Sequence, residues 1–265
     1  MIESMVKLKK RLGFFYAELG LIAGKGRIAE TVSTRLGTPV RLRPFVKGRG
    51  WGLKYLVLPE GASKPTHLVK AASRIIERRL TRDPAGNYHP YNQRFAREAE
   101  ILGALAAIGL GPSALLCEDD FFVREYVPGR CLYEIAESEL IVWLPRALEA
   151  LEQMCDAGIF HTDPNAENVI VDPGSRRPVF IDSEVSVSGP ALGTVSPERR
   201  LFCHERLLAS LSWKLSGVSD AEKHFSEELP AVLQEFYRSR ESLNLSPERA
   251  AALLQGEAVQ RERPL

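Results

Sequence analysis

The chain has 265 residues, 45% hydrophobic and 26% charged, enough to bury a substantial core and to form one bilobal unit. A net charge of +1 gives no global reason to expect a nucleic-acid partner, and the four cysteines, Cys117, Cys131, Cys155 and Cys203, form no C-x-x-C pair and read as buried thiols rather than zinc ligands or disulfides. No run of eighteen apolar residues and no signal-peptide pattern occurs, so the expected location is cytoplasmic.

Leu8, Leu12, Phe15, Leu19 and Ile22 recur at helical spacing behind Lys7, Lys9, Lys10 and Arg11, so the chain opens as a basic amphipathic helix. It is expected to pack on the N-terminal lobe with its lysines in solvent. Contact with a membrane surface, peripheral to the inner membrane, is the other reading. Next come two apolar strands flanking Gly48, Gly50 and Gly52, a hairpin whose tip exposes bare backbone amides. About twenty residues on, Leu68-Val69-Lys70-Ala71 is an apolar strand interrupted by one lysine. Arg74, Arg78, Arg79 and Arg82 follow, three of them four residues apart on one helical face, where guanidiniums suit an anionic ligand as well as a solvated surface.

Phe95, Ala99, Leu102 and Leu105 form a helical stripe with Glu98 near its start. After a turn at Gly109-Leu110-Gly111-Pro112, Phe121 to Val127 reads as a strand stopped by Pro128-Gly129. Ile141, Trp143, Leu144, Ala147, Leu148, Leu151 and Met154 then mark an amphipathic helix ending at Gly158, which delivers the chain into Phe160-His161. Val169-Ile170-Val171 and Val179-Phe180-Ile181, separated by Asp172-Pro173-Gly174-Ser175, read as a hairpin. Beyond Glu184 the punctuation is helical. Ser196 and Ser246 are helix starts, each before Pro-Glu-Arg; the first helix is expected from Pro197 to Leu215, and Ser219 is a possible cap for the next.

The chemistry concentrates in His161-Thr162-Asp163-Pro164-Asn165-Ala166-Glu167-Asn168 and in Asp182, fourteen residues further on. Asn168 enters the hairpin and Asp182 leaves it, so antiparallel pairing brings an amide oxygen and a carboxylate to one end, hard ligands of the kind Mg²⁺ prefers. Asp163 is the candidate that orients an acceptor hydroxyl and takes its proton. His161 reads as a residue that organises the loop rather than as a base. Taken alone, the hairpin reads equally well as a surface turn with Asp and Asn caps, Lys70 as an edge-strand lysine and Glu98 as a surface charge. Their order along the chain is what favours the functional reading.

With these residues in place, the chain resembles the protein-kinase-like superfamily. The H-x-D-x-N-x-x-N wording, with Arg94 to Glu98 followed by Gly109-Leu110-Gly111-Pro112, is closest to bacterial lipopolysaccharide kinases of the Kdo and heptose type. Aminoglycoside phosphotransferases are similar more loosely. The resemblance spans about Arg43 to Glu184. It implies an α+β, bilobal fold, with an antiparallel-sheet N-lobe over 1–127 and a mostly helical C-lobe over 128–265. It implies ATP and Mg²⁺ as cofactors and a sugar, glycolipid or other small hydroxylated compound as acceptor. Catalytic roles fall on Asp163, Lys70 and Glu98, with Lys70 pairing the ATP phosphates and Glu98 holding Lys70. Nucleotide contacts fall on Gly48, Gly50, Gly52, Lys70 and the main chain around Glu125 to Val127, and metal binding falls on Asn168 and Asp182. Several departures bear on the substrate: Asp182-Ser183-Glu184 replaces D-F-G, no A-P-E element follows, and Asn165 stands where protein Ser/Thr kinases usually carry Lys. These favour a small acceptor over a protein. An atypical Ser/Thr protein kinase and a non-catalytic ATP-binding regulator are the alternatives.

Overall fold

The computed structural model describes residues 12–46, 53–75, 90–171, 177–183, 187–188, 195–212, 228–240, 243 and 245–256. The chain divides into two compact units, Met1–Glu100 with Ser113–Tyr126, and Ile101–Pro112 with Val127–Leu265. Residues 101–112, read from sequence as part of the N-terminal lobe, group with the second unit. One tie is visible in the backbone, where the Phe180 N–H donates to the Leu110 carbonyl at 2.8 Å.

The first unit is built on five antiparallel strands, β1 (Val40–Pro44), β2 (Leu53–Pro59), β3 (His67–Ala71), β4 (Ala114–Cys117) and β5 (Phe121–Glu125), in the order β1-β2-β3-β5-β4. Leu53, Tyr55, Leu56, Val57 and Leu58 of β2 are all buried, as are Leu68 and Val69 of β3 and Phe121 to Val123 of β5. These strands are covered on both faces, which is why they read as continuous apolar runs rather than as alternations. β1, at the sheet edge, carries Arg41 exposed and Arg43 exposed, a charged edge that resists pairing with another chain. β5 ends at Glu125, two residues short of the expected Val127, because its partner β3 begins only at His67, behind Pro65.

Residues 12–18 are helical. Their contact with the sheet runs through Phe14, whose ring meets the edge of Tyr55 at 5.6 Å, and through Glu18, which accepts a hydrogen bond from the Tyr55 hydroxyl at 2.9 Å. Burial, with the Glu18 carboxylate next in importance, pushes the Tyr55 hydroxyl well above its ordinary pKa, so it remains a donor. The chain then runs beside residues 72–74. Ile22 N–H donates to the Ala72 carbonyl, Arg74 N–H to the Gly20 carbonyl, and Ser73 Oγ to the Ala17 carbonyl. Gly20 is needed there, since a Cβ would stand 2.8 Å from Ile75 Cγ1 and 2.9 Å from the Ile75 nitrogen. The helix packs on the sheet as expected, but through Phe14 and Ala17, while Leu12, Phe15, Leu19 and Ile22 of the apolar stripe face solvent; Lys7, Lys9, Lys10 and Arg11 lie outside the described residues. A stripe read from spacing identifies a face without saying which side of the helix the sheet will take.

The second unit is mostly helical. Its central helix, Glu137–Asp156, buries Leu140, Trp143, Leu144, Ala147, Leu148, Leu151 and Met154. Ile141 is only half-buried, with Leu140 taking the core position instead. Pro145 lies four residues after Ile141 and has no N–H to give its carbonyl, so this side of the helix tolerates solvent better than the core does. Helices Pro197–Leu211, Glu228–Arg238 and Pro247–Leu254 complete the packing. Ser196 and Ser246 cap the first and third, accepting from the Arg199 and Arg249 N–H groups. The first of these helices ends at Leu211 rather than Leu215, and Trp213 and Ser219 lie outside the described residues.

The small strands β6 (Arg130–Cys131), β8 (Val169–Val171) and β9 (Pro178–Phe180) form one antiparallel sheet, and β7 (Ile159–Phe160) pairs with β10 (Val187–Ser188). Gly129 sets β6 against β8. Its φ is 128°, and a Cβ would stand 2.4 Å from the Val171 carbonyl oxygen. Antiparallel sheet first and helices after, this is an α+β fold, as expected. Among the described residues no helix is long and apolar enough to cross a membrane.

Candidate active site

In the first unit the site starts from a cross-strand register. Lys70 on β3 lies opposite Phe122 on β5, and Phe122 stacks on Phe95 of the helix Tyr91–Ala107 at 6.4 Å between centroids. Glu98 is three residues after Phe95, on the same helical face, so the packing that seats Phe95 brings the carboxylate to the lysine. Lys70 Nζ is 2.7 Å from both Glu98 Oε1 and Oε2. Glu98 is fully buried and Lys70 is 5% exposed. Removing two charges from water costs several kcal/mol per ion before their attraction is counted, so a pair this deep is a weak stabiliser and is better explained by a positioning role.

The residues expected to contact nucleotide are only partly described. Gly48, Gly50 and Gly52 lie outside the described residues, although β1 and β2 on either side pair antiparallel, with Phe45 N–H still donating to the Lys54 carbonyl at 2.8 Å. The main chain of Glu125 is engaged internally. Its N–H donates to the Ser113 carbonyl, its carbonyl accepts from Arg124 Nη1 at 2.9 Å, and its side chain accepts from Ser113 N–H. Tyr126 N–H donates to the Thr66 carbonyl. Of the proposed adenine-reading segment, Val127 is the residue whose main-chain groups have no hydrogen bond among the described residues. Arg74 is exposed, while Arg78, Arg79 and Arg82 lie outside the described residues.

In the second unit the loop 161–168 is bound together by its own side chains. Asp163 N–H donates to His161 Nδ1 at 3.2 Å, which leaves the ring proton on Nε2, 3.4 Å from the Ile181 carbonyl. The buried ring therefore bridges the loop to the chain leaving β9, the organising role read from sequence. Asn165 Nδ2 donates to Asp163 Oδ2 at 2.8 Å, and Asn165 Oδ1 accepts from Glu167 N–H. Asn168 Nδ2 donates to the Asp163 carbonyl at 3.0 Å and reaches its Oδ2 at 3.4 Å. One oxygen of Asp163 is thus tied down by two amides, in a side chain that is 38% exposed.

With Asn168 Nδ2 committed to Asp163, its Oδ1 is the end that can act as an acceptor or a ligand. Ile181 N–H donates to the Asn168 carbonyl at 2.9 Å and Val169 pairs with Phe180, so the hairpin carries Asp182 to the same end as Asn168. Asp182 is the only described non-glycine residue with positive φ, at 65°. Left-handed backbone at a non-glycine residue is a small strain store and a marker of functional positions. Beside it the Ser183 hydroxyl is buried without a hydrogen-bond partner among the described residues. An amide oxygen and a carboxylate suit Mg²⁺, which takes one or two protein ligands and completes its shell with water and phosphate. Among the described residues no group of three or more His, Cys, Asp or Glu side chains could form a metal cage.

Sequence reasoning missed what stands behind the loop. The helix Pro197–Leu211 sends three polar groups to it from one face: Cys203 Sγ to the His161 carbonyl at 3.5 Å, Arg206 to Asp163, and Ser210 Oγ, which accepts from Ala166 N–H at 2.8 Å. Arg206 Nε and Nη2 lie 3.4 and 3.3 Å from Asp163 Oδ1, the oxygen that the two amides leave alone. The available signal was polar residues at positions 203, 206 and 210, spaced i, i+3, i+7 within an otherwise leucine-rich helix.

No protein-family model matches the chain, and no curated protein matches it. Among solved structures it is similar to the Rio2 kinase from Chaetomium thermophilum in its ADP/Mg²⁺-phosphoaspartate complex, at 17% identity and a TM-score of 0.46, covering 83% of this chain and 78% of that one. A second structure of the same kinase gives 16% identity and a TM-score of 0.46, covering 80% of this chain and 77% of that one. Likeness at this level says nothing about catalysis or substrate.

Proposed function

We propose that this protein is an ATP-dependent phosphotransferase, assisted by Mg²⁺, that phosphorylates a hydroxyl of a sugar or glycolipid. The observation that carries the reading is the Lys70–Glu98 pair, in which both oxygens of a fully buried glutamate hold one ammonium at 2.7 Å. A kinase uses such a lysine on ATP phosphates, and fixing it removes the freedom of a four-carbon stem. Asp163 would act as the base: Asn165 and Asn168 hold one oxygen, and the other, which Arg206 meets at 3.3 Å, would orient an acceptor hydroxyl and take its proton. Asn168 and Asp182 would hold the cation. Bound Mg²⁺-ATP would supply the transferable phosphoryl group and screen its charge. The sugar-type acceptor rests on the sequence, through Asn165 in place of a lysine and the absence of a peptide-docking element after Asp182. A cytoplasmic location, where ATP is made available, belongs to the same proposal.

Purified protein assayed for ATP turnover against sugar, glycolipid and generic protein acceptors tests the reading. Transfer to a sugar or glycolipid, lost on the order of 10²–10⁴-fold in Asp163→Asn while nucleotide still binds, is the expected result. Transfer to protein alone would favour an atypical protein kinase. Nucleotide binding without transfer to any acceptor would favour a non-catalytic regulator, a reading that the engaged Glu125 main chain and the Arg206 contact on Asp163 also permit.

A further inference from the structure

The strand register that sets Lys70 opposite Phe122 on one side sets it opposite Lys54 on the other. In the β2–β3 ladder Lys54 pairs with Lys70, and Leu56 pairs with Leu68. Directly opposed residues of an antiparallel pair project from one face, with Cβ atoms about 5 Å apart. Lys54 therefore shares a face with Lys70 and with Phe122, the residue that stacks on the Glu98 helix. Tyr55, the next residue along β2, goes to the opposite face and meets Phe14. In the neighbouring row on the lysine face, Leu56 and Leu68 are buried, with Phe45 and Tyr126 packed against them. Lys54 is the single charged residue from Leu53 to Leu58 and the one of the six that is only half-buried.

Charge gives this placement its meaning. Like charges directly opposite each other on a sheet lower its stability. Glu98 offsets one of the two, holding Lys70 Nζ at 2.7 Å with both carboxylate oxygens. A closed pair of that kind fixes an ammonium in place, yet as a unit it is neutral and offers an approaching anion little net attraction. Lys54, Lys70 and Glu98 together carry one positive charge, and Lys70 with Glu98 alone carry none. A nucleotide's phosphate chain bears several negative charges, so the net cation on this face is what favours it, and that cation is Lys54.

We propose that Lys54 is a second phosphate-binding lysine, which supplies the net positive charge that the Glu98-paired Lys70 lacks and holds the phosphate chain of a nucleotide beside it. The two lysines divide the work. Lys70, clamped and buried, fixes where the phosphates lie, while Lys54, on a half-buried flexible stem, contributes most of the attraction. The assignment rests on the reading of Lys70 as a lysine that meets nucleotide phosphates.

Calorimetry of the full chain with adenosine, ATP and inorganic tripolyphosphate, each with Mg²⁺ present, provides the test. Lys54→Met keeps the apolar stem and removes the charge, and Lys54→Arg keeps the charge. Lys54→Met should weaken ATP and tripolyphosphate binding about tenfold or more, as loss of a charged hydrogen-bonding partner does, with adenosine unchanged. Lys54→Arg should retain most of the affinity. If Lys54→Met melts well below wild type, Lys54→Gln serves for the same comparison. Equal weakening of adenosine and ATP would mark position 54 as structural, and unchanged affinity for ATP and tripolyphosphate would mark a solvated lysine; either overturns the proposal. Its failure is separable from that of phosphotransfer. Charge-dependent ATP binding through Lys54 without transfer to any acceptor upholds the lysine and removes the transferase, whereas transfer with wild-type ATP affinity in Lys54→Met does the reverse. Wild-type protein that binds neither ATP nor tripolyphosphate overturns both.

Discussion

At the scale of single residues, the two carboxylates of the second unit invite different tests. Asp182 sits at φ 65°, a conformation that costs an alanine about 1–2 kcal/mol and a glycine almost nothing sterically. Asp182→Gly should therefore be more stable than Asp182→Ala in denaturant unfolding, while calorimetry with Mg²⁺ and ATP shows both losing nucleotide affinity alike. Equal affinity to wild type in the glycine variant would remove Asp182 from the metal site. Asp163 poses a question about its neighbour. Arg206 lies 3.3 Å from Oδ1, longer than a strong charge-assisted bond, so the contact aims the carboxylate without occupying it fully. Arg206→Gln should lower kcat roughly 10–100-fold, as misplaced reacting groups do, with ATP affinity nearly unchanged and partial recovery in Arg206→Lys. Asp163, Asn168 and Lys70 were legible as candidates because the resemblance read from sequence fixes their types and spacing. Arg206 was not, because forty-three residues and a helix separate it from the aspartate it touches.

At the scale of elements, the helix Pro197–Leu211 faces two ways, with Cys203, Arg206 and Ser210 on the loop 161–168 and His204 on the helices behind. His204 Nε2 lies 2.8 Å from Glu152 Oε1 and Nδ1 lies 2.9 Å from the Tyr237 hydroxyl, both ring nitrogens thus engaged in a fully buried position. Arg200 adds a 3.0 Å bond to Glu152. Burial pushes the Glu152 carboxyl up, but His204 and then Arg200 outweigh it and hold the group below the usual carboxylate range. A carboxylate depressed in the folded state contributes stability that is fully present above its unfolded pKa of about 4.3 and is lost as pH falls toward the lower folded value. Glu152→Gln should cost about 1.5–3 kcal/mol at neutral pH, and thermal melts of the variant should fall less steeply than wild type on acidification below about pH 4.3. Parallel melting curves would show that the carboxylate charge does not matter there. This cluster left no trace in the sequence, since a histidine among leucines reads as one more helical residue until Glu152 and Tyr237 arrive from other helices.

At the scale of the whole molecule, each unit has its own core, so amide hydrogen exchange should show two separate sets of slow amides. Val57, Val69 and Val123 should be slowest in the first unit, and Leu144, Leu148 and Leu151 in the second, all of them fully buried. Residues 12–18, held mainly through Phe14, Tyr55 and Ser73, should exchange much faster; protection equal to that of β3 would show the segment to be part of the core. By itself the sequence placed the lysine strand, the Glu98 helix, the loop 161–168 and the hairpin ending at Asp182, and named the candidate residues on them. Those follow from local rules, namely apolar periodicity, turn residues, caps and the short spacing that a loop or hairpin converts directly into proximity. Tertiary structure alone decided that Phe14 rather than Phe15 meets the sheet, that residues 101–112 join the second unit, and that Arg206 and Ser210 stand behind the loop 161–168. Each of those depends on which face of a helix meets a partner distant in sequence, and packing against that partner selects the face where periodicity offers only the choice.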